Sequence, residues 1–135
     1  PEAATDAGSL LTARGLRAAL AKLPPGDIHL LRVAPDRIDA QIANGNDVQL
    51  VQVRADGGVT TVTTPADVPG RPVKVDPRAP ARIARVAARR AGRSRDDVSY
   101  LVLARFGQRA EWQLFFSDGL HYSANASGTK VRRVG

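Results

Sequence analysis

The feature that most constrains this chain of 135 residues is an internal repeat. A run that starts DIHLLRVAPDRIDAQ at Asp27 returns as DVSYLVLARFGQRAE at Asp97, an offset of 70 residues. The Asn-Gly-Asn turn at 44–46 aligns with the Ser-Asp-Gly turn at 117–119. Repetition of this kind indicates that one supersecondary unit occurs twice and that the two copies bury their apolar faces together.

Each copy begins with a helix and continues as short strands separated by turns. In the first copy, Leu16 and Leu20 have helical spacing, Ser9 or Thr12 is in position to cap the start, and Pro-Pro-Gly at 24–26 ends the helix. Asn, Asp and Gly then recur where tight turns need a positive φ angle. Strands are predicted at about 28–34, 37–43, 47–54 and 59–64, and again at about 97–105, 110–116, 119–125 and 129–134.

The second helix is capped by Asp76, has Pro77 as its first residue and ends at Gly92. Four arginines recur along it at steps of 4, 3 and 4, so they form one stripe opposite the apolar side. Two interpretations stay open, a solvated face or a surface that docks phosphate or carboxylate polymers. The stripe consists of Arg78, Arg82, Arg85 and Arg89.

These elements predict an α+β fold in which two helices pack on one face of a continuous, mainly antiparallel sheet of about eight strands. A chain of this length, 43% hydrophobic, can bury one shared core. We therefore expect a single compact domain with four segments. They are a flexible N-terminal linker at 1–8, a first helix–meander repeat at 9–64, a Pro-rich linker at 65–76 and a second repeat at 77–135.

A helix followed by a four-stranded meander, present twice, resembles the PepSY-like α/β module and the tandem repeat of the β-lactamase-inhibitor-protein family. The resemblance covers nearly the whole chain after Ser9 and is carried by the order of elements, the strand EWQLFF and the DG and SG turns. It implies an exported binding or inhibitory module. The chain has no cysteine, unlike that inhibitor, and no inhibitory contact residue carries over.

Side-chain alternation predicts which residues of the strands face the helices. In the first copy, Ile38 and Ile42 lie on one face, and Asp39 lies on the other. In the second copy, Trp112 shares a face with Leu114 and is predicted to lie in the core. The opposite face stays open, and we predict a binding site there that consists of Tyr100, Phe115, His121 and Tyr122.

Charge is distributed unevenly. The formal net charge is +7, but residues 1–70 carry 6 basic and 8 acidic side chains, whereas residues 71–135 carry 14 basic and 5 acidic ones. Either the genome favours arginine codons or this half has a surface for polyanions. Sequence-specific DNA recognition is not expected, because no second helix lies at helix-turn-helix spacing.

Nothing in the sequence indicates catalysis. The two histidines, His29 and His121, occupy non-equivalent positions in the repeats, and no nucleophile elbow or phosphate loop is present. We therefore expect no enzymatic activity, no metal and no cofactor, although a small enzyme with a site at the repeat junction remains a third interpretation.

The favoured function is a non-enzymatic exported module that binds a protein or peptide through the open sheet face. The alternative is a module that binds nucleic acid, anionic lipid or cell-wall polymer through the second-repeat arginines. We expect an extracytoplasmic location, periplasmic, in the cell wall or tethered to a membrane by a segment upstream of residue 1. The edge strands of an open sheet also allow a homodimer.

Overall fold

The computed structural model describes residues 9–68 and 70–134. The predicted N-terminal linker, residues 1–8, lies outside the described residues. Helix α1 spans Ala13–Leu20 and is followed by β1 (Asp27–Val33), β2 (Arg37–Asn44), β3 (Asp47–Arg54) and β4 (Val59–Pro65). The second half contains α2 (Ala79–Ala91), a short 3₁₀ helix (Arg95–Asp97), β5 (Val98–Phe106), β6 (Arg109–Phe116), β7 (His121–Asn125) and β8 (Arg132–Arg133).

All eight strands form one antiparallel sheet in the order β4-β3-β2-β1-β5-β6-β7-β8. The predicted α+β class is therefore confirmed. The two halves join at the centre, where Leu31 of β1 lies opposite Leu103 of β5. Because β1 and β5 are equivalent strands of the repeat and run antiparallel, a pseudo-twofold axis passes between them.

Local hydrogen bonds explain where the helices begin and end. The Thr12 hydroxyl accepts a hydrogen bond from the Gly15 amide at 3.0 Å, which confirms Thr12 as the cap of α1. Helix α2 begins at Ala79, two residues later than predicted, because the Asp76 carboxylate accepts from the Arg78 amide at 2.9 Å and holds a turn there. It ends as predicted at Gly92, which adopts the left-handed conformation.

The last strand is shorter than predicted. Residues 129–134 were expected to be extended, but β8 contains only Arg132 and Arg133. Lys130 has a φ of 54°, a left-handed conformation that interrupts an extended strand. The sheet therefore ends in a long strand at one edge, β4, and a two-residue strand at the other.

The core lies between the helices and one face of the sheet. It is one cluster that contains Leu16 of α1, Ile83 of α2 and the inward side chains of strands from both halves. Trp112 is fully buried in this cluster, as predicted, and its indole N–H donates to the Ala126 carbonyl oxygen at 3.1 Å. Among residues 9–68 and 70–134, no helix lies on the opposite face of the sheet.

One irregularity occurs twice and determines what that open face presents. In β1, an extra residue lies between Ile28, which pairs with Ile42, and Leu30, which pairs with Gln41. In β5, the same shift lies between Val98 and Tyr100, 70 residues later. Each β-bulge moves the residue after it to the opposite face of the sheet, so Leu30 and Tyr100 both face away from the helices.

Candidate functional site

The open face of the sheet presents two rows of side chains at equivalent places in the two repeats. Both rows start at the residue after the bulge and run across the strands. The register pairs Leu30 with Gln41, Gln41 with Leu50 and Leu50 with Val62, and it pairs Tyr100 with Phe115 and Phe115 with His121. We call Leu30, Gln41, Leu50 and Val62 the apolar row, and Tyr100, Phe115 and His121 the aromatic row.

The apolar row exposes large hydrophobic side chains to solvent. Leu30 is 37% exposed, Leu50 is 51% exposed and Val62 is 55% exposed. Together with Gln52 and Thr60, they line a groove with a volume of 360 Å³. Exposed apolar side chains grouped around one groove mark interaction surfaces, because leaving them in water is unfavourable unless a partner covers them.

The aromatic row is a continuous stack. The ring centroids of Tyr100 and Phe115 are 4.9 Å apart, and those of Phe115 and His121 are 4.2 Å apart, with planes within 27° and 18° of parallel. The Arg32 guanidinium lies over the other side of Tyr100, 4.3 Å from the ring centroid. Four side chains from β1, β5, β6 and β7 therefore form one half-buried platform held by stacking and cation–π attraction.

Arg32 connects the aromatic row with polar side chains that line the groove. Its Nη1 lies 3.6 Å from an Asp39 carboxylate oxygen, and the same carboxylate accepts from Arg37 Nε at 3.3 Å and from Gln52 Nε2 at 3.1 Å. This half-exposed cluster holds the guanidinium over Tyr100. The centre of the open face is therefore polar, with the groove on one side and the aromatic platform on the other.

His121 lies at the end of the aromatic row and contacts a side chain of the neighbouring strand β6. Its Nε2 contacts Gln113 Oε1, and Gln113 Nε2 donates to Glu111 Oε2 at 3.2 Å. Partial burial lowers the pKa of His121, because desolvation disfavours the charged imidazolium. The imidazole is therefore neutral at pH 7, which suits stacking on Phe115.

The structure brings together three of the four residues predicted for the sheet-face site. Tyr100, Phe115 and His121 stack on the open face, but the prediction for Tyr122 is wrong. Tyr122 is only 3% exposed and packs edge-on against Phe116 with centroids 6.0 Å apart, on the side of the helices. Successive residues of a strand point to opposite faces, so Tyr122 cannot share the face of His121.

The arginine stripe on α2 divides into two parts. Arg78 pairs with Asp76, with Nε 3.4 Å from Oδ1, and Arg82 Nη1 donates to the Ser127 carbonyl at 2.6 Å. Arg85 and Arg89 are exposed, and neither has a hydrogen-bond or ion-pair partner among residues 9–68 and 70–134. Half of the predicted stripe thus has an internal partner, and the other half faces solvent.

Sequence reasoning missed Arg32 and the three apolar side chains Leu30, Leu50 and Val62. The bulge hides Leu30, because strict alternation from Ile28 would place it on the helix side. Leu50 did leave a signal, as a lone apolar residue that alternates with Gln52 and Arg54. Arg32 left none, since its contact with Tyr100 depends on β1 lying beside β5.

Within the described ranges, no group of three or more histidine or carboxylate side chains is arranged to hold a metal ion. None of the helices in the described residues is long and apolar enough to cross a membrane.

Comparison with known proteins identifies the fold. No protein-family model matches the sequence, and a search of curated proteins finds no match. Among solved structures, the chain is similar to a candidate lipoprotein from Clostridium difficile 630, with a TM-score of 0.61 and 16% sequence identity. The similarity covers 90% of this chain and 91% of that chain. At this identity, the likeness shows a shared fold.

Proposed function

We propose that this protein is a non-enzymatic module that binds a protein or peptide on the open face of its sheet. The observation that carries the proposal is the exposure of Leu30, Leu50 and Val62 side by side around one groove. These residues come from three different strands, so their proximity is a property of the fold. A partner that covered them would remove apolar surface from water, which is the main favourable contribution to most protein association.

The chemistry around the groove fits a protein interface. Such interfaces have an apolar centre, a polar rim and an enrichment of tyrosine, tryptophan and arginine among the residues that dominate affinity. Here the groove adjoins the Arg32–Asp39 pair, and the Tyr100–Phe115 stack lies beyond it. Because stacking already restricts these rings, they lose little further side-chain entropy when a partner contacts them.

The shape of the face favours an extended or folded partner over a small molecule. Small-molecule sites bury most of their ligand in an enclosed pocket. The two rows instead extend across seven neighbouring strands, from Val62 on β4 to His121 on β7, with the groove open to solvent. A peptide segment or a protein surface is long enough to contact both rows at once.

We also propose that the module acts outside the cytoplasm or tethered to a membrane. The described fold is shared with a candidate lipoprotein, which supports an exported role. The absence of cysteine is compatible with such a compartment, because the fold needs no thiol chemistry. Cell fractionation of the full-length protein, with a cytoplasmic and an exported marker, tests this; a purely cytoplasmic fraction contradicts it.

Site-specific photo-crosslinking tests the binding face directly. A photoreactive phenylalanine analogue at position 50 would lie in the groove, and the same analogue at position 85 would lie on the outer side of α2. We expect a discrete protein adduct from position 50 in the native host and none from position 85. Equal adducts from both positions contradict the proposal.

Binding measurements with the captured partner complete the test. Leu50→Asp places a charge in the groove at a half-exposed position, so the fold should persist while affinity falls roughly 100-fold. Asn46→Asp is the matched control, because it adds the same charge at an exposed turn. An unchanged Kd for Leu50→Asp, with native circular dichroism, would exclude this face.

A second candidate function rests on Arg85 and Arg89. Both are exposed without an internal partner among the described residues, and residues 71–135 carry 14 basic and 5 acidic side chains. Binding to a polyanion would weaken steeply with salt. If this function is correct, Arg85→Gln/Arg89→Gln should elute from heparin at clearly lower salt than Arg14→Gln/Arg17→Gln, which removes equal charge from α1. Equal elution would leave the sheet face as the binding surface.

A further inference from the structure

We propose that two copies of this chain pair through their β4 edges, antiparallel, with Val62 opposite Val62 of the second copy. The pairing would produce one continuous sheet of 16 strands, twice the eight of a single chain. It does not depend on the binding partner of the open face.

Apart from Pro65 at its end, strand β4 lacks the features that protect sheet edges. It is the terminal strand of the sheet, and all seven residues from Val59 to Pro65 are exposed. Its sequence, VTTVTTP, contains six β-branched residues and no charge. Natural edge strands are usually short, bulged or charged, because a long regular edge is a template for pairing. The other edge, β8, is such a protected strand, with two residues, both arginine.

Two backbone hydrogen bonds establish which groups of β4 point away from the sheet. The Arg54 amide donates to the Gly58 carbonyl at 2.9 Å, and the Ala66 amide donates to the Asn46 carbonyl at 3.0 Å. Even-numbered residues from 58 to 66 therefore direct their backbone groups toward β3, since the direction alternates along an antiparallel strand. The odd-numbered residues direct theirs outward: Val59, Thr61, Thr63 and Pro65.

The position of Pro65 agrees with an edge strand. Proline has no N–H, so it interrupts a ladder wherever its nitrogen faces a neighbouring strand. Here its nitrogen faces outward, and the ladder between β3 and β4 loses no bond. The outward groups that remain are three N–H donors, from Val59, Thr61 and Thr63, and four carbonyls.

Apolar matching selects the register. With Val62 opposite Val62 of the second copy, Val59 lies opposite Pro65, and Thr61 lies opposite Thr63. The two exposed valines of β4, Val59 at 46% and Val62 at 55%, then both gain apolar neighbours. A shift that centres the pairing on Thr61 instead places each valine opposite a threonine. Both registers form about six backbone hydrogen bonds, so side-chain packing decides between them.

Charge favours pairing of two copies through β4 over pairing through β8. β4 belongs to the half with 6 basic and 8 acidic side chains, and the strongly basic half lies at the far end of the sheet. Pairing of two β4 strands keeps the basic halves apart, whereas pairing of two β8 strands would bring together Arg132 and Arg133 from both copies. Pairing of β4 with β8 would use only two residues of β8. It would also leave one free edge on each of the two chains, so that further copies could add instead of a closed dimer forming.

The pairing also extends the groove. A twofold axis perpendicular to the sheet leaves both open faces on the same side. The two apolar rows then meet at Val62 and form one line across the axis. A dimer would therefore present a single, longer apolar surface.

Sedimentation over a concentration series tests the dimer. We expect the wild-type mass to rise to twice the chain mass as concentration increases. Thr61→Pro removes an outward N–H and no bond to β3, so it should raise the dimer Kd at least roughly tenfold. Thr61→Ala is the matched control, because it loses the same side chain and keeps the amide. A wild type that stays monomeric, or a folded Thr61→Pro variant that dimerises normally, would overturn the proposal.

Cysteine crosslinking tests the register. Unlike the proline substitution, it does not rely on a variant that could fail to fold. The native chain has no cysteine, so one introduced thiol reports one position. In the proposed register, Val62→Cys places the two thiols in a directly opposed pair about 4.5 Å apart at Cα, which suits a disulfide. Thr60→Cys, on the same face, places them about four residues or roughly 14 Å apart. Rapid disulfide formation at 62 and none at 60 is expected; equal or reversed reactivity contradicts the register.

Discussion

Trp112 and Phe115 lie in the same strand but have opposite environments. Trp112 faces the helices, is fully buried and has its indole N–H satisfied by the Ala126 carbonyl. Phe115 faces away, between Tyr100 and His121, and remains partly exposed. The clustering of aromatic residues near the C-terminus therefore contains two groups, one that stabilises the core and one that forms the candidate site.

This difference predicts different effects of alanine substitution. Trp112→Ala removes a large buried side chain and leaves a cavity, which should cost about 3–5 kcal/mol of unfolding free energy. Phe115→Ala should cost on the order of 1 kcal/mol, because its ring is partly in water already. Urea denaturation of both variants measures the two values. A Trp112→Ala variant as stable as the wild type would contradict the core assignment.

The lowered pKa of His121 predicts a pH dependence of stability. Burial disfavours its charged form, so the folded chain binds this proton less readily than the unfolded chain. The contribution of His121 is fully present above about pH 6.5, the ordinary histidine value, and is lost as the pH falls through its lower folded pKa. The wild type should therefore lose more stability than His121→Gln between pH 7.5 and 5.5.

The carboxylate of Asp118, three residues before His121, should not obscure this measurement. The Leu120 amide and Arg93 lower the pKa of Asp118, so this group loses its proton at a pH below the window used for histidine. Denaturation midpoints at both pH values, for both proteins, give the comparison. Parallel losses in the two proteins would show that His121 does not cause the dependence.

At the level of elements, α2 and the turn between β7 and β8 hold each other in place. Arg82 Nη1 donates to the Ser127 carbonyl, and Arg90 Nη1 donates to the Val131 carbonyl. Gly128 completes the contact, because a Cβ at this position would lie only 2.9 Å from the Ala79 Cα. The helix arginines thus anchor the last segment of the sheet as well as contributing charge.

Alanine substitutions at two turn glycines distinguish the stability lost through this contact from the stability lost through backbone strain. Gly119 and Gly128 have φ angles of 90° and 83°, but a Cβ at Gly119 would meet no atom within 4 Å. Gly119→Ala should cost about 1–2 kcal/mol for the positive φ alone. Gly128→Ala should cost about 1–3 kcal/mol more, because it also forces the turn away from α2. Thermal denaturation of the pair checks this, and equal losses would mean that the contact is not important.

On the scale of the whole molecule, we expect that neither repeat is a complete domain. The pairing of β1 with β5 places Leu31 beside Leu103, and one buried cluster contains residues from both repeats. Each repeat alone would expose one side of this cluster. It would also leave the backbone of β1 or β5 without its partner strand. The free energy gained by burial would then fall below the conformational entropy cost of folding.

Separate expression of the two halves, divided at Pro69-Gly70, tests this dependence. We expect each fragment to be unfolded by circular dichroism, with no cooperative melt. Mixing them should restore native strand content, since the linker only joins two parts of one core. Two fragments that each melt cooperatively would show independent domains instead.

The sequence alone determined the type, order and approximate bounds of the elements. These properties depend on contacts between near neighbours, such as glycine at the positive φ of the Gly45 turn, the cap at Thr12 and alternation along EWQLFF. It also predicted one sheet with both helices on one face, and Trp112 inside. Repetition made this possible, because each copy supports the interpretation of the other.

The tertiary structure decided which equivalent strands meet and which side chains reach the open face. The pairing of β1 with β5 brings Arg32 over Tyr100, and the two bulges turn Leu30 and Tyr100 outward. Each outcome depends on residues about 70 positions apart or on a one-residue shift that reverses every later side chain in a strand. Local patterns carry no information about either, so the sequence predicted Tyr100, Phe115 and His121 for the open face but missed Arg32 and Leu30.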